Sequence, residues 1–163
     1  MYLKRTEKHL MSRRIDLSLI LLLFVAHLTM TVVIVSHTQF DGLYGQDPFA
    51  YYNFADSMRT SIANQQALPP FFWPLGYPTV LALGFTLTGT QASTALGINL
   101  IMGAMLPALV YVLLRQIGAS SPFALLSGFL MLICGQAIQS SMVVMADIPA
   151  LFWGTLSAVI LIH

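Results

Sequence analysis

A long, mainly apolar run from Ile15 to about Val35 is the feature that most constrains how this chain folds. At about 1.5 Å per residue, roughly 20 helical residues cross the ~30 Å hydrocarbon core of a bilayer. The run is longer than the apolar part of a cleaved signal peptide, and no small-residue cleavage site follows it. We interpret it as an uncleaved signal-anchor helix.

The charge content supports insertion in a membrane. Charged residues make up 8% of the 163 positions and hydrophobic residues 57%, whereas a soluble domain carries about 25% charged residues. Five of the seven basic residues precede the first apolar run: Lys4, Arg5, Lys8, Arg13 and Arg14. A short basic terminus beside a span predicts a cytoplasmic N-terminus and argues against nucleic-acid binding.

Four further apolar stretches follow, at roughly 75–88, 92–114, 119–138 and 148–162. The first is only about 14 residues long, which is short for a span, and it contains two glycines and a proline. We expect it to lie at the outer interface, which leaves about four spans, Arg115 in the cytoplasm and Asp147 outside. If 75–88 crossed instead, there would be five spans and Arg115 would face outside. Both alternatives predict one all-α domain over 1–163, a polytopic transmembrane helix bundle.

The first outer loop, about 36–74, contains a helical pattern. Asp47-Pro48 is typical of an N-cap followed by proline at the first helical position. Apolar residues then recur at helical spacing: Phe49, Tyr52, Ala55, Met58 and Ile62. The pattern predicts a short amphipathic helix along the outer membrane surface, ending at 64–66. Short interfacial helices in this loop are therefore part of the predicted fold.

Two carboxylates, Asp47 and Asp147, lie at predicted helix starts on the same side of the membrane. Such a pair could converge on one site, where a carboxylate acts as a general base or holds a divalent cation. The alternative is that both are simply N-caps, and spacing alone favours it. No phosphate-binding glycine loop, zinc-ligand spacing or nucleophile-elbow serine is present.

Two other features each have a structural and a functional interpretation. The segment from Pro69 to Pro78 is rich in proline and aromatic residues, which could form an interface belt or a rigid wall against a lipid-linked substrate. Three glycines within the apolar stretches are expected to allow close helix packing rather than ligand binding: Gly97, Gly103 and Gly128.

The order of these motifs resembles a known family. A basic N-terminus and one span precede the acidic and aromatic stretch Gly45–Arg59. The proline-rich segment 70–78 and the stretch Ser140–Trp153, with its Ser-x5-Asp-x-Pro pattern, then follow. This order is similar to the N-terminal module of the GT-C membrane glycosyltransferases. That superfamily includes protein O-mannosyltransferases and the aminoarabinose and lipopolysaccharide-core sugar transferases.

The resemblance implies sugar transfer from a polyprenyl-phosphate donor on the outer face of the membrane. It implies that Asp47 is catalytic, with Asp41 as the competing choice, and that Asp147 is the second acidic residue. The candidate substrate-binding residues are Tyr51, Tyr52, Arg59 and Tyr77. The alternatives are that the tyrosines anchor the surface helix and that Arg59 is a solvated surface residue.

The resemblance also implies partners and a setting. The partners are the lipid bilayer and the polyprenyl-phosphate sugar donor, and the setting is a bacterial plasma membrane. A divalent cation is the one possible cofactor. Because family members are longer, we expect the chain to be the N-terminal part of a longer enzyme. Two other functions stay open: a small non-catalytic membrane scaffold, and a transporter fragment in which Asp47 and Asp147 line an ion path.

Overall fold

The computed structural model describes the backbone of residues 2–162 and the side chains of residues 15–162. That part of the chain folds into seven helices and contains no strand, so the predicted all-α class is confirmed. The helices are α1 (Tyr2–Thr38), α2 (Gln46–Ala63), α3 (Gly76–Thr88), α4 (Ala92–Gln116), α5 (Ser121–Leu132), α6 (Gly135–Ser141) and α7 (Asp147–Ile162).

Among these, α4 and the Ile15–Thr38 part of α1 are long and apolar enough to cross a membrane. Helices α5 and α6 together form a third candidate span, bent by 58°. The 16 residues of α7 are apolar but shorter than a full span. The polytopic architecture is therefore confirmed, and the predicted count of four is reached only when the bent pair and α7 are both included.

The directions of α1 and α4 agree with the expectation that residues 75–88 do not cross the membrane. Helix α3 has 13 residues, which is too few for a span. Arg115, near the end of α4, forms an ion pair with Asp16 at the start of the first span. Helices α1 and α4 are therefore antiparallel, and Arg115 lies at the end of the bundle where the first span begins. The five-span alternative would place Arg115 at the opposite end, so the structure does not support it.

We call the two ends of the bundle the Arg115 end and the Asp147 end. Ser121, at the start of α5, lies 3.0 Å from the Tyr111 hydroxyl at the Arg115 end. The chain reaches the other end after α6, where the backbone N–H of Val144 donates to the carbonyl of Gly42 at 2.9 Å. Helix α7 therefore begins at the same end as α2.

The apolar stretch 119–138, which we count among the predicted spans, forms two helices and not one. Helix α5 ends at Leu132, and Ile133 and Cys134 lie between it and α6. The backbone N–H of Cys134 bonds the carbonyl of Met131 at 3.3 Å, which closes α5 with a tight final turn. Hydropathy is high on both sides of the break, so the apolar pattern gives no sign of it.

Two of the three glycines permit close helix packing. A Cβ on Gly103 would lie 2.1 Å from Oγ of Ser141 on α6, and one on Gly128 would lie 2.9 Å from the carbonyl oxygen of Pro107 on α4. The expectation is wrong for Gly97, because no atom outside its own helical surroundings lies within 4 Å of the position that a Cβ would occupy there. Helix α4 therefore approaches both α5 and α6 at glycine contacts.

Helix α2 forms where the sequence predicts it, and its buried face matches the predicted apolar residues only in part. Phe49 and Ile62 are 47% and 63% exposed. The buried side chains that pack on α3 are Ala55 and Met58 of the predicted set, together with Tyr51 and Phe54 on the adjacent side of the helix. Both faces carry apolar residues at helical spacing, and only the position of α3 decides which one is buried.

Candidate active site

Asp47 lies in the first turn of α2, and it is not the N-cap. The N-cap residue is Gly45, with a φ of 83°, and no side chain caps this helix. The Asp47 side chain is half-buried and makes no hydrogen bond or ion pair with any described residue. The carboxylate is therefore available for another role, which the N-cap interpretation does not anticipate.

Asp147 is the first residue of α7 and is exposed. Within residues 15–162 its side chain also has no hydrogen-bonding or ion-pairing partner. Both carboxylates lie in the first turn of a helix, where the helix dipole favours negative charge.

Tyr51 lies within electrostatic range of both carboxylates. Burial raises the pKa of its hydroxyl, and the charges of Asp47 and Asp147 raise it further. A charge has such an effect only over a short distance, so α2 and α7 bring both carboxylates to one tyrosine. The raised pKa keeps the Tyr51 hydroxyl neutral and able to donate a hydrogen bond.

Aromatic rings surround Tyr51. The centroid of its ring lies 5.3 Å from that of Tyr77, 5.6 Å from Trp73 and 5.7 Å from Phe71. Trp73 is therefore part of a packed wall, whereas Phe72 is 90% exposed. The proline-rich segment thus contributes both to the wall and to the exposed surface.

A cavity of about 500 Å³ opens beside this aromatic cluster, between α2, α3 and α7. Its walls include Tyr51, Tyr77, Pro149 and Trp153. The volume lies in the range typical of small-molecule sites. An apolar cavity with two free carboxylates nearby can accept a ligand that is part hydrocarbon and part hydroxyl-bearing.

The Tyr77 ring lines the cavity, but its hydroxyl is already bonded. It donates to Oδ1 of Asn99 on α4 at 2.7 Å, and burial raises its pKa well above the ordinary value. Tyr77 therefore contributes a ring face to the site and has no free hydroxyl proton for a ligand.

Asn99 is the residue that the sequence analysis missed. It is fully buried, and its Nδ2 donates to the carbonyl of Met145 at 3.2 Å and to that of Val143. The signal was available, since an amide inside an apolar span is expected to have a bonded partner.

Two of the candidate substrate-binding residues lie away from the cavity. The Tyr52 ring packs edge-on against Phe85 of α3, with centroids 5.1 Å apart. Arg59 follows Asp47 by three helical turns, or about 18 Å along the axis, and pairs with Asp56 at 2.9 Å. The structure does not bring either residue to Asp47.

Asp41, the competing catalytic candidate, is bonded within its own loop. Its Oδ1 accepts a hydrogen bond from the backbone N–H of Leu43 at 2.9 Å, which is the geometry of an Asx-turn. As for a cation site, the side chains of residues 15–162 include no group of three or more metal-ligating residues. Asp47 and Asp147 do not line the cavity themselves; Tyr51 and Ala146, which line it, connect it to the helix starts where these carboxylates lie.

Three comparisons with known proteins bear on this site. A family model described as dolichyl-phosphate-mannose-protein mannosyltransferase matches residues 76–163. No curated protein and no solved structure matches the chain. The matched region includes Tyr77, Asn99 and Asp147, and Asp47 precedes it. Because the match covers more than half of the sequence, this chain belongs to the dolichyl-phosphate-mannose-protein mannosyltransferase family, a GT-C family of membrane glycosyltransferases.

Proposed function

We propose that this chain transfers a sugar from a polyprenyl-phosphate donor to an acceptor on the outer face of the membrane, at the Asp147 end of the bundle. Family membership gives the class, a membrane glycosyltransferase that uses a lipid-linked sugar donor. The observation that carries the site is the convergence of Asp47 and Asp147 on Tyr51 beside an apolar cavity. The basic N-terminus supports the assignment of this end to the outer face.

In the proposed reaction Asp47 is the general base. It accepts the proton of an acceptor hydroxyl while the acceptor oxygen forms a bond to the anomeric carbon of the sugar. The bond from that carbon to the phosphate oxygen breaks, and polyprenyl phosphate leaves with the bonding electrons. Because the acceptor attacks from the side opposite the leaving phosphate, the configuration at the anomeric carbon is inverted.

Asp147 is proposed to accept hydrogen bonds from sugar hydroxyls, so that the donor is oriented for attack. Both carboxylates act electrostatically on Tyr51, and its neutral hydroxyl can donate to the sugar or to the phosphate. The wall formed by Tyr77, Pro149 and Trp153 suits the first isoprene units of the donor. Tyr52 and Arg59 remain predicted contacts for a substrate large enough to extend along α2.

The leaving phosphate gains negative charge, which requires a compensating positive charge or hydrogen-bond donors. No Lys or Arg lines the cavity in the described part of the chain. The alternative role for Asp47 and Asp147 is to hold a divalent cation, which would supply that charge.

The test uses membranes that carry the chain, a labelled polyprenyl-phosphate sugar and candidate acceptors. We expect Asp47→Asn to lower sugar transfer by about 10²- to 10⁴-fold, the usual effect of losing a general base. Asp41→Asn is the matched control in the same loop, and transfer should be retained. Transfer retained by Asp47→Asn would contradict the assignment of the base. Absence of transfer by the unmodified chain would overturn the function and favour the scaffold alternative.

A further inference from the structure

We infer that Asn99 is a positioning residue that fixes where Asp147 lies, by holding the backbone that leads into α7. The kinetic part of this inference rests on the proposed function. Asn99 does not line the cavity, so it acts through the 142–146 segment and through Tyr77, not on the substrate directly.

The 142–146 segment is not helical, although it is partly buried. It connects the end of α6 to the start of α7, and Val144 within it is completely buried. The backbone N–H of Met145 bonds the carbonyl of Val143 at 2.8 Å, and the N–H of Val144 bonds Gly42. Irregular backbone away from water needs partners for its carbonyl groups as well, because an unpaired buried carbonyl is costly.

Asn99 provides the partner of the Met145 carbonyl and a second partner for the Val143 carbonyl, which also accepts the N–H of Met145. Its two N–H donors are directed at the carbonyls of Val143 and Met145, and its oxygen accepts the Tyr77 hydroxyl. Only a side-chain amide combines two donors and an acceptor in this size. An ionised aspartate has no donor to offer, and leucine has neither donor nor acceptor.

The location of Asn99 makes it a rigid reference point. It is on α4, the 25-residue helix that contacts α1, α5 and α7. Met145 precedes Asp147 by two residues, and the first backbone bond of α7 runs from Ala150 to Ala146 at 2.8 Å. A displacement of the 143–145 carbonyls would therefore move the first turn of α7, where Asp147 lies.

The kinetic test compares two substitutions in the same hydrogen-bond network. Asn99→Leu removes all three bonds, and we expect kcat to fall by roughly 10²-fold, the cost of a misplacement near 1 Å, with little change in the donor KM. Tyr77→Phe leaves both bonds to the segment in place, and its effect on kcat should be clearly smaller. Equal losses in the two variants, or a wild-type kcat for Asn99→Leu, would overturn the inference.

Thr31→Val is the matched control. Thr31 is a completely buried polar side chain in α1, and its hydroxyl bonds only carbonyls of its own helix, at 2.9 Å and 3.1 Å. It therefore tests the general cost of losing a buried polar group inside a span. We expect wild-type kcat and KM for this variant, and a loss as large as that of Asn99→Leu would contradict a specific positioning role.

A second measurement does not depend on sugar transfer. In a Cys134→Ser background, Val144→Cys places a buried thiol in the segment, and its labelling by a membrane-impermeant maleimide reports how often the segment opens. Asn99→Leu should speed labelling by roughly tenfold or more, because the Met145 carbonyl loses its partner and the Val143 carbonyl loses one of its two. Unchanged labelling overturns the inference even if transfer is lost. Faster labelling in a chain without transfer activity supports it while the proposed function fails.

Discussion

The two ends of the bundle treat their carboxylates in opposite ways. At the Arg115 end, Asp16 accepts hydrogen bonds from Nε of Arg115 at 3.2 Å, from Nη2 of Arg115 at 3.3 Å and from the Tyr111 hydroxyl. At the other end, Asp47 and Asp147 have no partner among the described residues, although they approach the same tyrosine. The difference separates an end whose carboxylate joins helices from the end at which we propose the site.

The partners of Asp16 come from a different helix, which explains its structural role. The fork of Arg115 contacts both carboxylate oxygens, a geometry that adds strength and specificity, and Arg115 also donates to the carbonyl of Ala119 at 2.8 Å. Tyr111 is fully buried and continues the network to Ser121. The network therefore ties α1 to α4 and to the start of α5.

The largest effect on stability is expected at this network. Asp16→Asn leaves Arg115 without its carboxylate, and we expect the free energy of unfolding in detergent to fall by about 1–3 kcal/mol, the cost of an unsatisfied charged group. Asp47→Asn, in contrast, should change it by less than about 0.5 kcal/mol. Chemical denaturation of the two variants side by side measures both values.

The double variant Asp16→Asn with Arg115→Met is the control for that prediction. Because it removes both charges, it should recover part of the stability that Asp16→Asn loses. The structural role of Asp16 would be contradicted if Asp16→Asn had wild-type stability, or if it abolished sugar transfer in protein that remains folded.

The next effect on stability is expected where Gly103 of α4 contacts α6. This contact supports the Asp147 end of the bundle. Gly103→Ala would place a methyl group 2.1 Å from Oγ of the buried Ser141. Such overpacking typically costs about 1–3 kcal/mol, which the thermal unfolding midpoint should reveal. Gly97→Ala, on the same helix with open space around it, should be neutral or slightly stabilising. Equal midpoints for the two variants would show that α6 is free to move away.

Much of the helical framework follows from hydropathy, because a span must be long and apolar whatever it packs against. The ends of α2 were predictable from local signals as well: Pro48 in the first turn, and Asn64 at its end. The break at Ile133 and the buried face of α2 were not predictable, because both depend on neighbours distant in sequence.

The candidate site and the ion pair at the other end also include residues that the sequence predicted and residues that it did not. Asp47 and Asp147 were found because an acidic residue at a helix start beside a span is visible in the sequence. Asn99 and Asp16 were missed, although a polar residue within an apolar run is a signal in itself. What no pattern could supply was their partners, since Asp16 and Arg115 are far apart in sequence and meet only when α1 and α4 pack.

Asp56 offers the smallest and sharpest test, because it is a partnered carboxylate at the Asp147 end. The hydrogen bond from Thr90 is the main cause that lowers its pKa, and the bond from Arg59 adds to it. A carboxyl whose folded pKa is depressed stabilises the fold above its unfolded pKa, near 3.8, and this stabilisation is lost as the pH falls through the folded pKa.

Thr90→Val should therefore raise the pKa of Asp56 towards its ordinary value and slightly lower stability at neutral pH. Because the Asp56 side chain is 41% exposed, we expect less than about 1 kcal/mol. The difference from wild type should shrink as the pH falls through and below the unfolded pKa, where the carboxyl becomes protonated in both proteins. Thr60→Val is the control, since that hydroxyl bonds only the backbone of α2. A difference from wild type that did not change with pH would show that Thr90 acts through packing and not through the Asp56 charge.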